Sequence, residues 1–314
     1  MKTSVVMATY NGEKFLNKQL DSIASQSVLP DELVIVDDGS KDSTRQLLSD
    51  FAEKFGHDIS IILVFREKNL GYIKNFIDGI ARTKNELIFL CDQDDIWHVD
   101  KIKDTVQLFK ENSDMIVLHT NTDIIDHNGN TLRKNVQDYH KRIEKIKLSK
   151  YVKKVNYPGM AMAFRKSVVY PELEWLLDKV VSLPTHDWII GFIGAKSNGF
   201  YVSEEVYTYR RFTGQNVALS LEKRDSILDR VSGIEVYEGL FQFVFDYQKA
   251  TQKNFLPIEK YQKTAKNRKK YLTAKSVMLW SKSFPLIRYY PKYGSYFRDI
   301  LEIIKERRIN DQKN

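Results

Sequence analysis

The chain has 314 residues, 42% hydrophobic, 29% charged and 12% aromatic, the make-up of a globular protein with room for one large α/β domain and an appendage. Its single cysteine, Cys91, excludes an internal disulfide framework and a cysteine metal cluster, and no apolar run is long enough for a transmembrane helix. The net charge of +8 is uneven: residues 221–314 hold 20 Lys/Arg against 11 Asp/Glu, whereas residues 1–220 sum to −1.

Thr3–Ala8 predicts a first strand, entered too directly to leave room for a signal peptide, so a cytoplasmic location is expected. Thr9-Tyr10-Asn11-Gly12 breaks it, and a helical period follows through Phe15, Leu16, Leu20 and Ile23. Pro30 turns the chain into a buried strand, Leu33–Val36, which Asp37-Asp38-Gly39-Ser40 ends; Asp42-Ser43-Thr44 opens another helix. Ile59–Phe65 is a third strand, and Asn69-Leu70-Gly71 leads into a helix carrying Ile73, Phe76, Ile77 and Ile80. Next, Leu87–Cys91, five consecutive apolar residues, reads as a buried parallel strand. Strand-helix alternation of this kind predicts an α/β fold with a mostly parallel, doubly wound sheet, whose polar strand ends Thr9, Asp37/Asp38 and Asp92/Asp94 converge on one edge.

Further on, Met115–Asn121 reads as a strand and Asp126–Asn130 as a hairpin-type turn. Residues 137–154 are polar and basic, a helix or a mobile excursion. Tyr157–Phe164 looks like a strand, with Gly159 permitting close backbone approach. A helix is predicted over Pro171–Leu183 and another over Trp188–Ala195, followed by short strands at Phe200–Val202 and Val206–Tyr209. After about residue 220 the pattern is helical.

The chemistry concentrates where the fourth strand ends in Asp92, Asp94 and Asp95. Three acids within four residues repel one another unless a cation lies between them, and a hard divalent ion with oxygen ligands fits. The alternative is capping, with Asp95 holding the turn before Trp97-His98. His98, His119, His127 and His140 are scattered and read as surface or packing residues.

Four motifs in order, Thr9-Tyr10-Asn11, Val36-Asp37-Asp38-Gly39-Ser40, Asn69-x-Gly71-x-x-x-Asn75 and Asp92-x-Asp94-Asp95, resemble the family 2 glycosyltransferases of GT-A fold over roughly residues 1–216. The form Asp92-Gln93-Asp94-Asp95-Ile96-Trp97, with His186-Asp187-Trp188 later, looks closest to bacterial rhamnosyltransferases of surface polysaccharide synthesis. The resemblance implies a nucleotide site of Thr9, Tyr10, Asn11, Asp38, Asn69, Gly71, Asn75 and Asp92. In it Asp38 bonds the pyrimidine base, Thr9 and Tyr10 flank that base, and Asp92 lies toward the ribose. It further implies Asp94 as ligand of Mn²⁺ or Mg²⁺ bridging to the diphosphate, and Asp187 as general base for an inverting transfer. Asp187 as a helix cap is the plain alternative. Relatives often carry Tyr-Arg-x-His after the base. This chain has Tyr209-Arg210-Arg211-Phe212, so Arg210 or Arg211 would hold diphosphate oxygens instead. The implied partners are a nucleoside diphosphate sugar, dTDP-rhamnose or a UDP-sugar, and a glycan or lipid-linked acceptor.

A catalytic domain over 1–220 and a basic helical region over 221–314 are expected. Residues 253–293 hold 11 Lys/Arg against Glu259 alone, interleaved with Tyr261, Tyr271, Trp280, Phe284, Tyr289, Tyr290 and Tyr293. Such a segment fits an anionic membrane surface, placing the protein on the inner face of the cell membrane. A solvated face of packed helices is the alternative. Nucleic acid is not expected, since no recognised binding motif accompanies the charge. Two other functions compete. A sugar nucleotidyltransferase would carry a Gly-rich basic phosphate loop where Thr9–Glu13 stands, and a non-catalytic membrane scaffold would have no need of Asp94 and Asp187.

Overall fold

In the computed structural model the described residues are 1–154, 156–180, 183–213 and 226–311. They form two compact units, 1–148 with 156–175 and 185–219, and 149–155 with 176–184 and 220–314. The boundary expected at residue 220 lies outside the described residues.

The first unit opens with strand-helix alternation: β1 (Thr3–Thr9), α1 (Leu16–Ala24), β2 (Glu32–Asp37), α2 (Thr44–Phe55), β3 (Ser60–Phe65), α3 (Tyr72–Arg82) and β4 (Leu87–Asp92). There follow β5 (Ile96–Trp97), α4 (Lys101–Glu111), β6 (Val117–Ile125), β7 (Thr131–Arg133) and β8 (Glu144–Lys145), then α5 (Leu148–Tyr151), whose residues from 149 on belong to the second unit. After a 3-10 turn at Gly159–Ala161 come β9 (Met162–Arg165), α6 (Lys166–Lys179), α7 (His186–Lys196) and β10 (Phe200–Arg211). The sheet runs β3-β2-β1-β4-β9-β6-β10-β5, with β7 on β6 and β8 on β10. β3, β2, β1 and β4 are parallel neighbours, as are β6 and β10, while β9 runs antiparallel between β4 and β6. The inner strands are buried on both faces, as their continuous apolar runs require. α3 lies close on the sheet because Gly79 has no side chain: a Cβ there would stand 2.4 Å from Val6 Cγ1.

Four stretches differ from the sequence reading. The strand expected from Tyr157 begins at Met162, after the 3-10 turn. The helix expected over Pro171–Leu183 spans Lys166–Lys179 with Pro171 inside it, and residues 181 and 182 lie outside the described residues. The two short strands expected near 200–209 are one, β10, paired in parallel with β6 through bulges between Ser203 and Thr208 that absorb the exposed Glu204-Glu205 step. Residues 137–154 form neither one helix nor an open excursion, but contribute β8 and α5.

The second unit is helical: α8 (Ile227–Thr251), α9 (Ile258–Thr273), α10 (Val277–Ser281), a 3-10 helix at Phe284–Tyr289 and α11 (Tyr293–Asp311). Its centre is Asp299, fully buried, which accepts from Arg230 Nη1 at 3.0 Å, Arg268 Nε at 2.7 Å and Tyr271 Oη at 2.6 Å. Tyr261, Tyr271, Tyr289 and Tyr290 are buried in this unit, and Lys269 pairs with Glu235 at 2.9 Å. The aromatics expected to form a membrane belt over 253–293 are therefore largely core. Tyr271 Oη donates to Asp299 and meets Tyr290 Oη at 2.6 Å, which makes these two rings tolerable inside.

Candidate active site

In the register of the sheet Thr9 stands beside Asp37 and Ala8 beside Asp92, so the polar ends of β1, β2 and β4 meet at one edge. Asp37, fully buried, pins the turn after β2: it accepts from Thr9 Oγ1 at 3.2 Å, Ser40 N at 3.1 Å and Arg45 Nε at 2.8 Å. Asp38 accepts from the backbone N–H groups of Leu70 and Gly71, each at 2.8 Å, and so ties the Asn69–Gly71 loop to the sheet edge. That loop needs glycine at 71, where φ is +89°. Asn69 Oδ1 accepts from Gly71 N at 3.0 Å. Asn11 bridges to the same cluster, donating N–H to Ser40 Oγ and accepting from Lys41 N, both at 2.9 Å.

Thr9, Tyr10, Asn11, Asp38, Asn69 and Gly71 are thus brought into one loop cluster, with the Tyr10 ring 45% exposed. Asn75 is not available to a nucleotide in this arrangement. It is 1% exposed, donates to Val36 O at 3.3 Å and accepts from Arg66 Nε at 2.9 Å, so its amide serves the packing of α3 on β2. Gln93, not singled out in the sequence, fastens the first loop to the acidic one. Its side chain accepts from Tyr10 N at 2.8 Å and donates to Tyr10 O at 3.0 Å.

Beside this cluster, Asp92, Asp94 and Asp95 offer carboxylate oxygens within 4.8 Å of one another. Asp95 does not cap a turn. It is 2% exposed, its Oδ1 accepts from Arg211 N at 3.0 Å, and its Oδ2 is buried without a partner. Burial, and then the Asp94 charge, push the Asp92 carboxyl up to about 7, against the pull of Arg210. The same two causes raise Asp95 well above the carboxylate range. Oxygen ligands, mutual repulsion and an orphaned buried oxygen together fit a hard divalent cation held by this trio.

The two arginines that follow separate. Arg211 is fully buried: Nε donates to Asp94 O at 2.9 Å and Nη1 to Asp126 O and His127 O at 2.7 and 3.0 Å, with the guanidinium 4.9 Å from the Phe15 ring centroid. It shapes the acidic loop from beneath and does not offer its fork to a diphosphate, contrary to the expectation from sequence. Arg210, half-buried, remains near enough to Asp92 and Asp95 for its charge to act on both.

Lys101 is the second residue absent from the sequence reading. It is 2% exposed at the start of α4, with Nζ donating to Met160 O and Thr208 Oγ1, each at 2.8 Å, and lying 3.9 Å from the Trp97 ring centroid. One side chain therefore joins β5, the 3-10 turn and β10 under the acidic trio. Its signal was a lysine on the buried period of α4, with Ile102, Thr105, Leu108 and Phe109. Burial lowers its pKa to about 7. Between about 7 and 10.5 the unfolded chain holds a proton that the folded protein has released. Its contribution to stability is thus present above pH 10.5 and lost as pH falls through about 7. Relative to Lys101→Met, the wild type should gain up to about 1.4 kcal/mol per pH unit between pH 7.5 and 9.5, read from urea midpoints. A pH-independent difference would show the lysine to be charged in the fold.

Asp187 stands half-buried in the first turn of α7, its Oδ1 accepting from Trp188 N at 2.8 Å. The N-cap position belongs to Thr185. Gly159 makes room for it: a Cβ there would lie 3.2 Å from Asp187 Cβ, 3.2 Å from His186 Nε2 and 3.3 Å from Leu90 Cδ1. His186 is buried, stacked on Phe76 at 4.2 Å, with both ring nitrogens unpartnered, and burial holds its pKa low. The charge of Asp187 reaches Asp92, and both reach the phenol of Tyr72, which they and burial keep protonated. Asp92, Asp94, Asp95, Asp187, Arg210 and Tyr72 therefore share one electrostatic neighbourhood.

The family model "Glycosyl transferase family 2" matches residues 4–170. Among curated proteins, the chain is 33% identical over 132 residues to an uncharacterized glycosyltransferase of Nostoc sp., covering 42% of this chain and 40% of that protein. It is 38% identical over 103 residues to the dTDP-rhamnosyl transferase RfbG of Shigella flexneri, covering 32% of this chain and 35% of that one. The chain thus spans well under half of either relative. Among solved structures, S. aureus TarS 1–349 in complex with UDP-GlcNAc superposes with a TM-score of 0.55 at 18% identity, over 98% of this chain and 92% of that one, a likeness of fold.

Proposed function

The chain belongs to glycosyl transferase family 2, and from that premise we propose that it transfers a sugar, with inversion, from a nucleoside diphosphate sugar to a glycan or lipid-linked acceptor. The observation that carries this reading is the meeting, at one sheet edge, of an acid trio fit for a divalent cation and a separate carboxylate, Asp187, whose charge acts on Asp92.

The loops of Thr9–Asn11 and Asn69–Gly71 flank the base, whose ring N–H Asp38 accepts on lone pairs left free beside its two backbone donors. Asp92 lies toward the ribose. Asp94, with Asp95 beside it, would hold Mn²⁺ or Mg²⁺, an ion that would supply positive charge to the leaving diphosphate. Arg210 meets the diphosphate oxygens. Asp187 takes the proton of the acceptor hydroxyl as that oxygen attacks the anomeric carbon from the opposite face. dTDP-rhamnose is the first donor to test, because the named Shigella relative is a dTDP-rhamnosyl transferase, and UDP-hexoses are next, because TarS was solved with UDP-GlcNAc. The place of action is the inner face of an anionic bacterial membrane during surface polysaccharide synthesis. No described helix is long and apolar enough to cross a membrane.

Thermal melts against dTDP-, UDP- and GDP-sugars, each with and without Mn²⁺, test the donor. A ligand at 100 times its Kd adds about 2.7 kcal/mol to stability, so one nucleotide class should raise the melting temperature, and more so with the ion present. A panel without any shift, together with no release of nucleoside diphosphate, overturns the assignment.

A further inference from the structure

The second unit, taken by itself, leaves one helix face without cover. α11 buries Tyr296, Asp299 and Ile303, and exposes Tyr293, Phe297, Leu301 and Ile304 to 64, 51, 62 and 38%. At i, i+4, i+8 and i+11 these four fall within ~80° of arc on an α-helix. Apolar residues scattered singly over a surface are ordinary, but a continuous row of four large ones is the mark of an interaction site.

The described charges beside the row are mostly basic. Arg298, Lys305 and Arg308 are exposed. Of the described carboxylates of the helix, Asp299 is buried on Arg230 and Arg268, Glu306 reaches Lys275 at 2.7 Å, and Glu302 stands 3.7 Å from Lys305. Met278 and Phe284, on elements packed against α11, are exposed as well, at 62 and 56%.

We propose that this face of α11 docks on the anionic surface of a lipid bilayer, the helix axis lying in the plane of the interface. The inference rests on the membrane-acceptor reading given above. An apolar row enters the acyl boundary while flanking cations meet the headgroups, which is the pattern of an interfacial helix. A second copy of the chain is the poorer occupant, because pairing two such faces sets one surplus of exposed cations, Arg298, Lys305 and Arg308, against another. The α9 helix offers charge alone: Lys263, Lys266 and Lys270 are exposed, but Tyr261 and Tyr271 point inward.

Co-sedimentation of the full chain with neutral and anionic vesicles tests the face. The wild type should pellet with anionic vesicles and dissociate as salt rises. The triple variant Phe297→Gln, Leu301→Gln, Ile304→Gln should partition roughly tenfold less or worse, and Lys263→Gln, Lys266→Gln, Lys270→Gln should lose less than that. A wild type that ignores anionic vesicles overturns the membrane reading and the inference with it. A wild type that pellets alongside an α11 variant that pellets equally overturns the docking face alone. A wild type dimeric without vesicles and made monomeric by the α11 changes assigns the face to a second copy and likewise overturns the proposal. Because the only cysteine, Cys91, is buried, Leu301→Cys takes a single environment-sensitive dye, and this variant removes just one exposed side chain. Its emission should shift to the blue on anionic vesicles, and an unmoved spectrum would count against insertion even if the triple variant failed to fold.

Discussion

Asp94→Asn is expected to abolish cation-dependent turnover while leaving the fold intact. The amide keeps the shape and removes a charge from a group where charge is the difficulty: the Asp94 carboxylate helps drive both Asp92 and Asp95 away from ionisation. Without an ion, the variant should melt near the wild-type temperature, since the lost repulsion compensates for whatever attraction Asp94 supplied. With Mn²⁺ the two proteins should part. The wild type gains stability as the ion fills the trio, by about 2.7 kcal/mol at 100 times its Kd, and the variant gains little. Melting curves and donor turnover, each across a Mn²⁺ titration, read the two effects independently. Near-normal turnover in Asp94→Asn, or an equal Mn²⁺ shift in both proteins, would place the ion elsewhere.

The second large effect is expected at Asp187→Asn, with a loss of ~10²–10⁴ in kcat. The side chain accepts from Trp188 N through Oδ1, and an asparagine oxygen can accept the same bond, so α7 should start where it does now. What the amide cannot do is take a proton from the acceptor. Donor affinity should be unchanged within about twofold, because the loops of Thr9–Asn11 and Asn69–Gly71 carry their own anchors at Asp37, Ser40 and Asp38. Steady-state kinetics with varied donor at saturating acceptor separate the possibilities. If the variant weakened donor binding and kept kcat, Asp187 would belong to the donor side, and the base would have to be sought elsewhere in the site.

Much of this arrangement is legible in the sequence. β1, β2 and β4 announce themselves because strands buried on both faces must be apolar throughout, and the acids that end them stand out against that background. What escapes is whatever depends on a distant partner. Gln93 acts on Tyr10 across 83 positions and Lys101 on Met160 across 59, and no local pattern encodes either meeting. Arg210 and Arg211 are adjacent and chemically identical. Only the alternation of β10 and the carbonyls of Asp94, Asp126 and His127 assign one to the interior. The same holds for the tyrosines of the second unit: an aromatic belt and an aromatic core have one composition, and the buried Asp299 decides between them.

The antiparallel strand β9, inserted between β4 and β6, has a consequence during synthesis. β4 lies within the first 92 residues, but the strand that covers its outer edge arrives only with residues 162–165. At roughly 5–20 residues per second that leaves Leu87–Cys91 as an open, apolar edge for several seconds on every ribosome, the situation in which neighbouring nascent chains pair with one another. Asp92, Asp94 and Asp95 stand at the end of that edge. Before the protein can bind anything, their mutual repulsion works between chains as well as within one, keeping edges of like sign apart. Acids at the end of an open apolar edge take the placement of gatekeeper residues, so substitutions at Asp92, Asp94 or Asp95 bear on folding yield as well as on the site.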